Sequence, residues 1–207
     1  MGPVVNKTAL VVLAEGFEDI EASTCIDILN RADARVVISG IGVRPVHGAY
    51  GCAIISHTTI DKIEGIYDCL VFPGGIHNAE LLAVNPAVLN LIQSHNDANK
   101  LIAAFSDSAA YLLARAAAIL HDKKVSGDPA VNDCLIAGGA VITDKPVTVD
   151  NNIVTGSGPG AAMLFALEIV EHLFGKQVAD NLAGNLRIAR PMRLPEKKIK
   201  MKTVAGD

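Results

Sequence analysis

Five consecutive apolar residues, Ala9-Leu10-Val11-Val12-Leu13, run without a polar break, and the pattern recurs at Cys69-Leu70-Val71-Phe72 and Leu101-Ile102-Ala103-Ala104-Phe105. Such runs are too short for a buried helix and do not alternate. They predict strands covered on both faces, the habit of a parallel sheet. Val36-Val37-Ile38, within 35–41, repeats the pattern more briefly. Between the runs, residues fall at helical spacing. Over 17–31, Phe17, Ile20, Thr24, Cys25, Ile28 and Leu29 form one stripe. Pro73-Gly74-Gly75 turns the chain into a helix near 78–83, and Asn85-Pro86 opens another through about Asn96. The Ala/Leu-rich segment 107–120 predicts a third. Segments 147–149 and 152–155 read as a hairpin around Asp150-Asn151, after which Gly158-Pro159-Gly160 opens a helix to Gly175, with a shorter one over 176–183. This alternation predicts an α/β fold, a doubly wound and mostly parallel sheet sandwiched by helices. No linker or internal repeat divides it, so one domain is expected over 1–186, with a basic extension over 187–207.

Half of the 207 residues are hydrophobic and the mean hydropathy is +0.35, enough for a sizeable core and incompatible with a disordered chain. A formal charge of −4, few aromatic residues and no tryptophan argue against gripping phosphate backbones or stacking bases, so no nucleic-acid partner is expected. No apolar stretch reaches the ~18 residues of a membrane span, and no membrane partner is expected. Cys25, Cys52, Cys69 and Cys134 lie at irregular spacings with no C-x-x-C. Reduced thiols and a cytoplasmic location follow, with no basic-then-apolar secretory leader. The extension carries seven Lys or Arg against Glu196 and Asp207. A solvated tail is its plain reading, and docking to an acidic partner or surface its functional one.

Three places carry candidate chemistry. At Ala104-Phe105-Ser106-Asp107-Ser108 a buried strand turns directly into a helix, with small residues two places either side of Ser106. That is the arrangement of a nucleophile elbow, whose reacting side chain sits on a strained turn at a helix N-terminus. A serine there needs a general base, and the alternative is that Ser106 merely caps the helix. Glu21 falls inside the apolar stripe of the first helix, where a carboxyl is costly to bury unless protonated or well paired. A raised pKa and a hydrogen bond from protonated Glu21 to Ser106 are expected. Glu18 and Asp19 suit the first turn for ordinary dipole reasons. The loop Pro73-Gly74-Gly75-Ile76-His77-Asn78 ends a strand where α/β sheets place ligands, and its glycines let backbone amides approach a substrate oxygen. His77 is the histidine nearest these turns, as a base or as a plain surface residue. Gly156-Ser157-Gly158-Pro159-Gly160-Ala161 matches G-x-G-x-x-[GA], but the acid of a dinucleotide site would fall at Asp180, inside a helical segment. No dinucleotide cofactor is expected.

Together these residues resemble the ThiJ/PfpI superfamily, in the branch of the human Parkinsonism-associated deglycase. The resemblance runs from about Ala9 to Leu186. It rests on Ala14-Glu15-Gly16-Phe17-Glu18-Asp19-Ile20-Glu21, on Val71-Phe72-Pro73-Gly74-Gly75 and on Leu101-Ile102-Ala103-Ala104. It continues through Thr155-Gly156-Ser157-Gly158-Pro159-Gly160 and Phe165-Ala166-Leu167-Glu168-Ile169-Val170-Glu171. It implies a flavodoxin-like sandwich, usually a homodimer in which the first helix and its neighbouring strands meet a second copy. No metal or organic cofactor is implied.

The departures fall on the chemistry. The resemblance implies a reactive cysteine where this chain has Ser106, within Phe-Ser-Asp-Ser rather than the usual Ile-Cys-Ala-Gly. It implies a histidine where Asp128 precedes Pro129, an arginine at Ser157 and a basic residue near Tyr50. Glu21, matching the family's pocket glutamate, and the Gly74-Gly75 loop are kept. Cys25, Cys52 and Cys69, read as lying on strands or a helix face, offer no substitute thiol. The expected function is therefore a dimeric pseudoenzyme or binding protein with a small-molecule ligand in the elbow pocket. Two alternatives stand beside it. One is a serine hydrolase or lyase using Ser106 with Glu21, Asp128 or His77 as base. The other is residual glyoxalase or deglycase activity through Glu21. Gly74, Gly75 and Asp107 are the expected oxyanion and substrate contacts.

Overall fold

The unbroken apolar runs become the centre of a seven-stranded sheet in the computed structural model, which describes residues 7–42 and 44–190. In chain order the elements are β1 (Thr8–Leu13), α1 (Asp19–Arg31), β2 (Arg35–Gly40), β3 (Val46–His47), β4 (Ala53–Ile54), β5 (Thr58–Thr59) and β6 (Cys69–Phe72). Then come α2 (Ile76–Ala83), α3 (Pro86–Asp97), β7 (Leu101–Phe105), a π-helix over Ser108–Ala116, β8 (Lys124–Val125) and α4 (Asn132–Ala137). The chain continues through β9 (Val141–Ile142), β10 (Val147–Asp150), β11 (Ile153–Gly156), α5 (Ala162–Phe174) and α6 (Lys176–Asn185). The sheet order is β10-β11-β7-β6-β1-β2-β5, and only the β10–β11 pair is antiparallel. The expected doubly wound α/β architecture is what the chain adopts.

Both faces of the sheet are buried, and the strand period of two sorts side chains between them. Ala9, Val11 and Leu13 join a core with Cys25, Ile28 and Leu29 of α1 and Phe165, Ile169 and Val170 of α5. Leu10 and Val12 point the other way, toward Leu82 of α2, Ile92 of α3, and Leu112 and Leu113 of the π-helix. The chain leaves β1 toward β2 and β5, then crosses back to pair β6 on β1's other side. The carboxyl ends of β1 and β6 therefore flank a topological switch point, where open α/β sheets hold their ligands.

The glycine-rich stretch after β11 has a packing role. A Cβ on Gly156 would lie 2.8 Å from the Phe105 ring and 2.9 Å from that of Phe165, whose centroids are 3.9 Å apart. Glycine is required there by two tilted core rings in contact, and Asp180 lies in α6 as expected. Segment 107–120 differs from expectation: its helix is π-wound over Ser108–Ala116 and is followed by Ala118 at φ 53°. The two-residue strands β3, β4, β5, β8 and β9, and the short α4, carry no periodicity that sequence could reveal. Cys52 is placed between β3 and β4, in a loop rather than on a strand. The basic extension lies largely outside the described residues. Its Arg190, however, is bound to the body: its guanidinium pairs with Asp180 at 2.7 Å, Glu171 at 2.6 Å and Glu168 at 3.2 Å.

Candidate active-site pocket at the strand switch point

Three carboxyl-terminal strand ends converge here, and each delivers one part of the candidate site. Beyond β1, Glu18 caps α1 by accepting the Glu21 N–H at 2.7 Å, a placement the helix dipole favours. The cap fixes the first turn, so Glu21 points inward and is 1% exposed. Its Oε2 accepts the Gly74 N–H at 2.6 Å, tying α1 to the loop after β6. Burial drives the Glu21 carboxyl up to about 8; the Gly74 hydrogen bond opposes this, and the charges of Glu18 and Asp107 add to it. The expected raised pKa is found. The expected hydrogen bond to Ser106 is not: the partner Glu21 takes is the Gly74 amide.

After β6, the loop is held from below by Asn78, a residue the sequence did not single out. Asn78 is fully buried. Its side chain accepts the Ala14 N–H at 2.7 Å and donates to Pro73 O at 2.8 Å and Gly74 O at 3.2 Å. Ser108 Oγ donates to Pro73 O at 2.5 Å from the π-helix. Gly75 adopts φ 94°, and a Cβ there would collide with Gly16 O. Asp19 was expected to serve only the helix dipole. Instead it accepts the Tyr50 and Cys52 N–H groups at 2.9 and 2.6 Å. Burial pushes its carboxyl up, and these hydrogen bonds outweigh that and hold it below the ordinary aspartate value.

The end of β7 carries Ser106, 5% exposed. Ser106 and Asp107 are already helical, and among the described residues Ser106 is not one of the six non-glycine residues with positive φ. The strained turn expected of an elbow is absent. Helical backbone begins at Ser106, directly after β7, and passes into the π-helix at Ser108, so the chain enters it without a left-handed residue. Ser106 Oγ accepts the Asp128 backbone N–H at 3.1 Å. The Asp128 carboxylate turns elsewhere, accepting the Ala130 N–H at 2.8 Å as an N-cap. His77 is exposed on α2 with its ring against Gly16, and no hydrogen bond joins it to Ser106 among the described residues. Asp107, half-buried, accepts the Gly75 N–H at 3.0 Å. Burial raises its carboxyl despite that hydrogen bond, and the charge of Asp128 adds to the rise.

Among the described residues no group of three His, Cys, Asp or Glu side chains is arranged to hold a metal ion, and no helix is long and apolar enough to cross a membrane. A recess of about 570 Å³ opens elsewhere, lined by Lys7, Asp68, Lys100 and His172. It sits at the amino ends of the strands, opposite the switch point, where open α/β sheets hold their ligands.

Residues 7–172 match the DJ-1/PfpI family. The chain belongs to that family. It is 33% identical over 187 residues to a Parkinson disease protein 7 homolog of Danio rerio, covering 88% of this chain and 98% of that protein. A glutathione-independent glyoxalase, DJR-1.2 of Caenorhabditis elegans, is 30% identical, with 89% of this chain and 98% of that protein covered. Oxidized DJ-1 of Toxoplasma gondii superposes with a TM-score of 0.84 at 33% identity, over 89% of this chain and all of that one. The DJ-1/PfpI fold, with its mostly parallel sheet and flanking helices, is thus shared over nearly the whole described chain.

Proposed function

We propose that this DJ-1/PfpI protein acts by binding a small molecule in the switch-point pocket, and that Ser106 stands where the family carries its reactive cysteine. The observation that carries this reading is the unactivated state of Ser106. Its backbone is helical rather than left-handed, its oxygen accepts a hydrogen bond from a backbone amide, and no described side chain is bonded to it as a base. Serine attack requires a partner to take its proton, and addition to a glyoxal through sulfur requires a thiol. The test is methylglyoxal turnover beside a cysteine-bearing family member, with fluorophosphonate labelling of Ser106 as a second readout. Turnover at least a hundredfold slower and no labelling lost in S106A are expected. A comparable rate would overturn the reading.

A weaker glyoxalase-like activity through Glu21 is the second reading. It is favoured by one observation, a buried carboxyl with a pKa of about 8, which holds a transferable proton near neutrality. We further propose a homodimer formed around the start of α1, and a cytoplasmic location. Ile20 (55% exposed), Tyr50 (81%) and Ile55 (73%) support the first. Asp19, next to Ile20 in the chain, bonds the Tyr50 amide, and exposed apolar side chains favour self-association where they adjoin. Light scattering at micromolar concentration tests it, and a monomeric mass would overturn it.

A further inference from the structure

We propose that Asp107 is a built-in ligand of the Gly75 amide and sets the pocket's selectivity, refusing small carboxylates and oxyanions while admitting neutral polar molecules. This deepens the binding reading above by naming what the pocket excludes. The Pro73-Gly74-Gly75 loop presents two consecutive backbone donors at the strand end. Both are taken by the chain's own carboxyl groups: Gly74 N–H by Glu21 at 2.6 Å and Gly75 N–H by Asp107 at 3.0 Å. The two side chains meet over one glycine. A Cβ on Gly74 would lie 2.7 Å from Glu21 Oε2 and 3.5 Å from Asp107 Oδ2.

Asp107's position makes this occupancy informative. It lies in the first helical residues after β7, with φ −61° and ψ −44°, where an acid can answer the helix dipole without a capping bond. It makes no such capping bond and reaches instead across 32 residues of sequence to the facing loop. The site is also acidic on every side: Glu18 and Glu21 come from α1, Asp107 from the elbow and Asp128 from the following loop. Among the described residues none of these four joins an ion pair with Lys, Arg or His. An arriving carboxylate or phosphate would have to displace a charged oxygen from Gly75 and then sit among like charges. A neutral ligand bearing hydroxyl groups faces no such repulsion and can donate to these carboxyl oxygens.

The experiment follows the Gly74 and Gly75 amide signals in ¹⁵N-labelled full-length protein at neutral pH during titration with acetate and, separately, inorganic phosphate. The wild type is expected to show no saturable shift at Gly75. D107A, which vacates the amide, is expected to bind at least one of the two anions at least tenfold more tightly, with the largest shift at Gly75. D128A removes a nearby charge without freeing Gly75 and is expected to stay close to wild type. Equal anion binding by wild type and D107A, or an equal gain in D128A, would overturn the proposal. So would a folded D107A whose Gly75 signal ignores both anions. Should D107A not fold, the wild type alone decides: a coupling through the hydrogen bond between Gly75 ¹⁵N and the Asp107 carboxyl ¹³C is expected, and its absence overturns the assignment. None of these readouts depends on turnover. A fluorophosphonate-reactive Ser106 would defeat the non-catalytic reading and leave this one standing.

Discussion

The backbone N–H of Asp128 meets Ser106 Oγ at 3.1 Å while the Asp128 carboxylate faces away, accepting the Ala130 N–H at 2.8 Å. Contact between the two residues thus runs in the wrong direction for general-base catalysis: Asp128 donates to the serine and takes nothing from it. Replacing the carboxylate should cost only the cap. D128A is expected to lose about 1 kcal/mol of stability in urea unfolding and to leave the reactivity of Ser106 toward fluorophosphonates unchanged. A large change in labelling would assign Asp128 a chemical role.

Glu21 predicts an unusual pH dependence. Its carboxyl is raised from 4.5 to about 8, chiefly by burial, so the folded protein keeps a proton that the unfolded chain releases. The stabilising contribution is complete below pH 4.5 and is lost as pH rises through about 8, corresponding to on the order of 5 kcal/mol. Asp107, also raised, acts in the same direction, so the neighbouring acids reinforce the trend. E21Q mimics the protonated form and cannot titrate. Urea unfolding between those pH values should show stability falling in the wild type and a flatter profile in E21Q. Parallel profiles would place the Glu21 proton elsewhere.

Asn78 holds three backbone groups of two strand ends from a fully buried position. N78A strands the Ala14 N–H and unties the loop, although Pro73 O keeps the Ser108 hydroxyl and Gly74 O keeps the Glu18 N–H. Unpaired buried groups cost roughly 1–3 kcal/mol each. A loss of about 3 kcal/mol is expected in denaturant unfolding, together with a changed Gly74 amide signal. A loss under 1 kcal/mol would show that the loop finds other partners.

These contacts mark the limit of what the sequence could reveal. Ala9–Leu13 and Leu101–Phe105 were legible because burial on both faces removes every polar residue from a strand. Glu21 was legible because a carboxyl on an apolar stripe is conspicuous. Asn78 gave no such signal: an asparagine at a helix start is ordinary, and its partners Ala14 and Pro73 become neighbours only when β1 and β6 pair. Asp107 was picked out for lying beside the elbow, but its bond to Gly75 depends on how the π-helix begins. The helical backbone of Ser106 likewise depends on that helix, whose winding leaves no trace in hydropathy.

Gly75 offers a direct test of the loop's geometry. With φ 94° and a Cβ position blocked by Gly16 O, it tolerates no side chain. G75A is expected to destabilise the fold by about 2–3 kcal/mol and to break the bond to Asp107. Its effect should therefore exceed that of an alanine at solvent-exposed Gly160, where a Cβ meets nothing within 4 Å. Equal effects would mean that the loop can rearrange.

Restoring sulfur at the elbow should not restore thiol chemistry. A cysteine is reactive as its thiolate, which needs nearby positive charge or amide donors. In S106C the new sulfur would instead lie among Glu21, Asp107 and Asp128. The charges of Asp107 and Asp128 disfavour a second anion and push a thiol pKa up, and Glu21, which keeps its proton near neutrality, offers no compensating positive charge. The amide of Asp128 offers one donor in compensation, but Gly75 N–H is already given to Asp107. The start of the π-helix adds a favourable dipole, too small to outweigh the carboxylates. S106C is therefore expected to alkylate with iodoacetamide at neutral pH no faster than an ordinary free cysteine, and to turn over methylglyoxal at least tenfold more slowly than a cysteine-bearing relative. The double variant S106C/D107A, which frees Gly75 and removes one charge, should alkylate faster than S106C. If S106C alone reacts as a low-pKa thiol, the carboxylates around the elbow do not govern its chemistry.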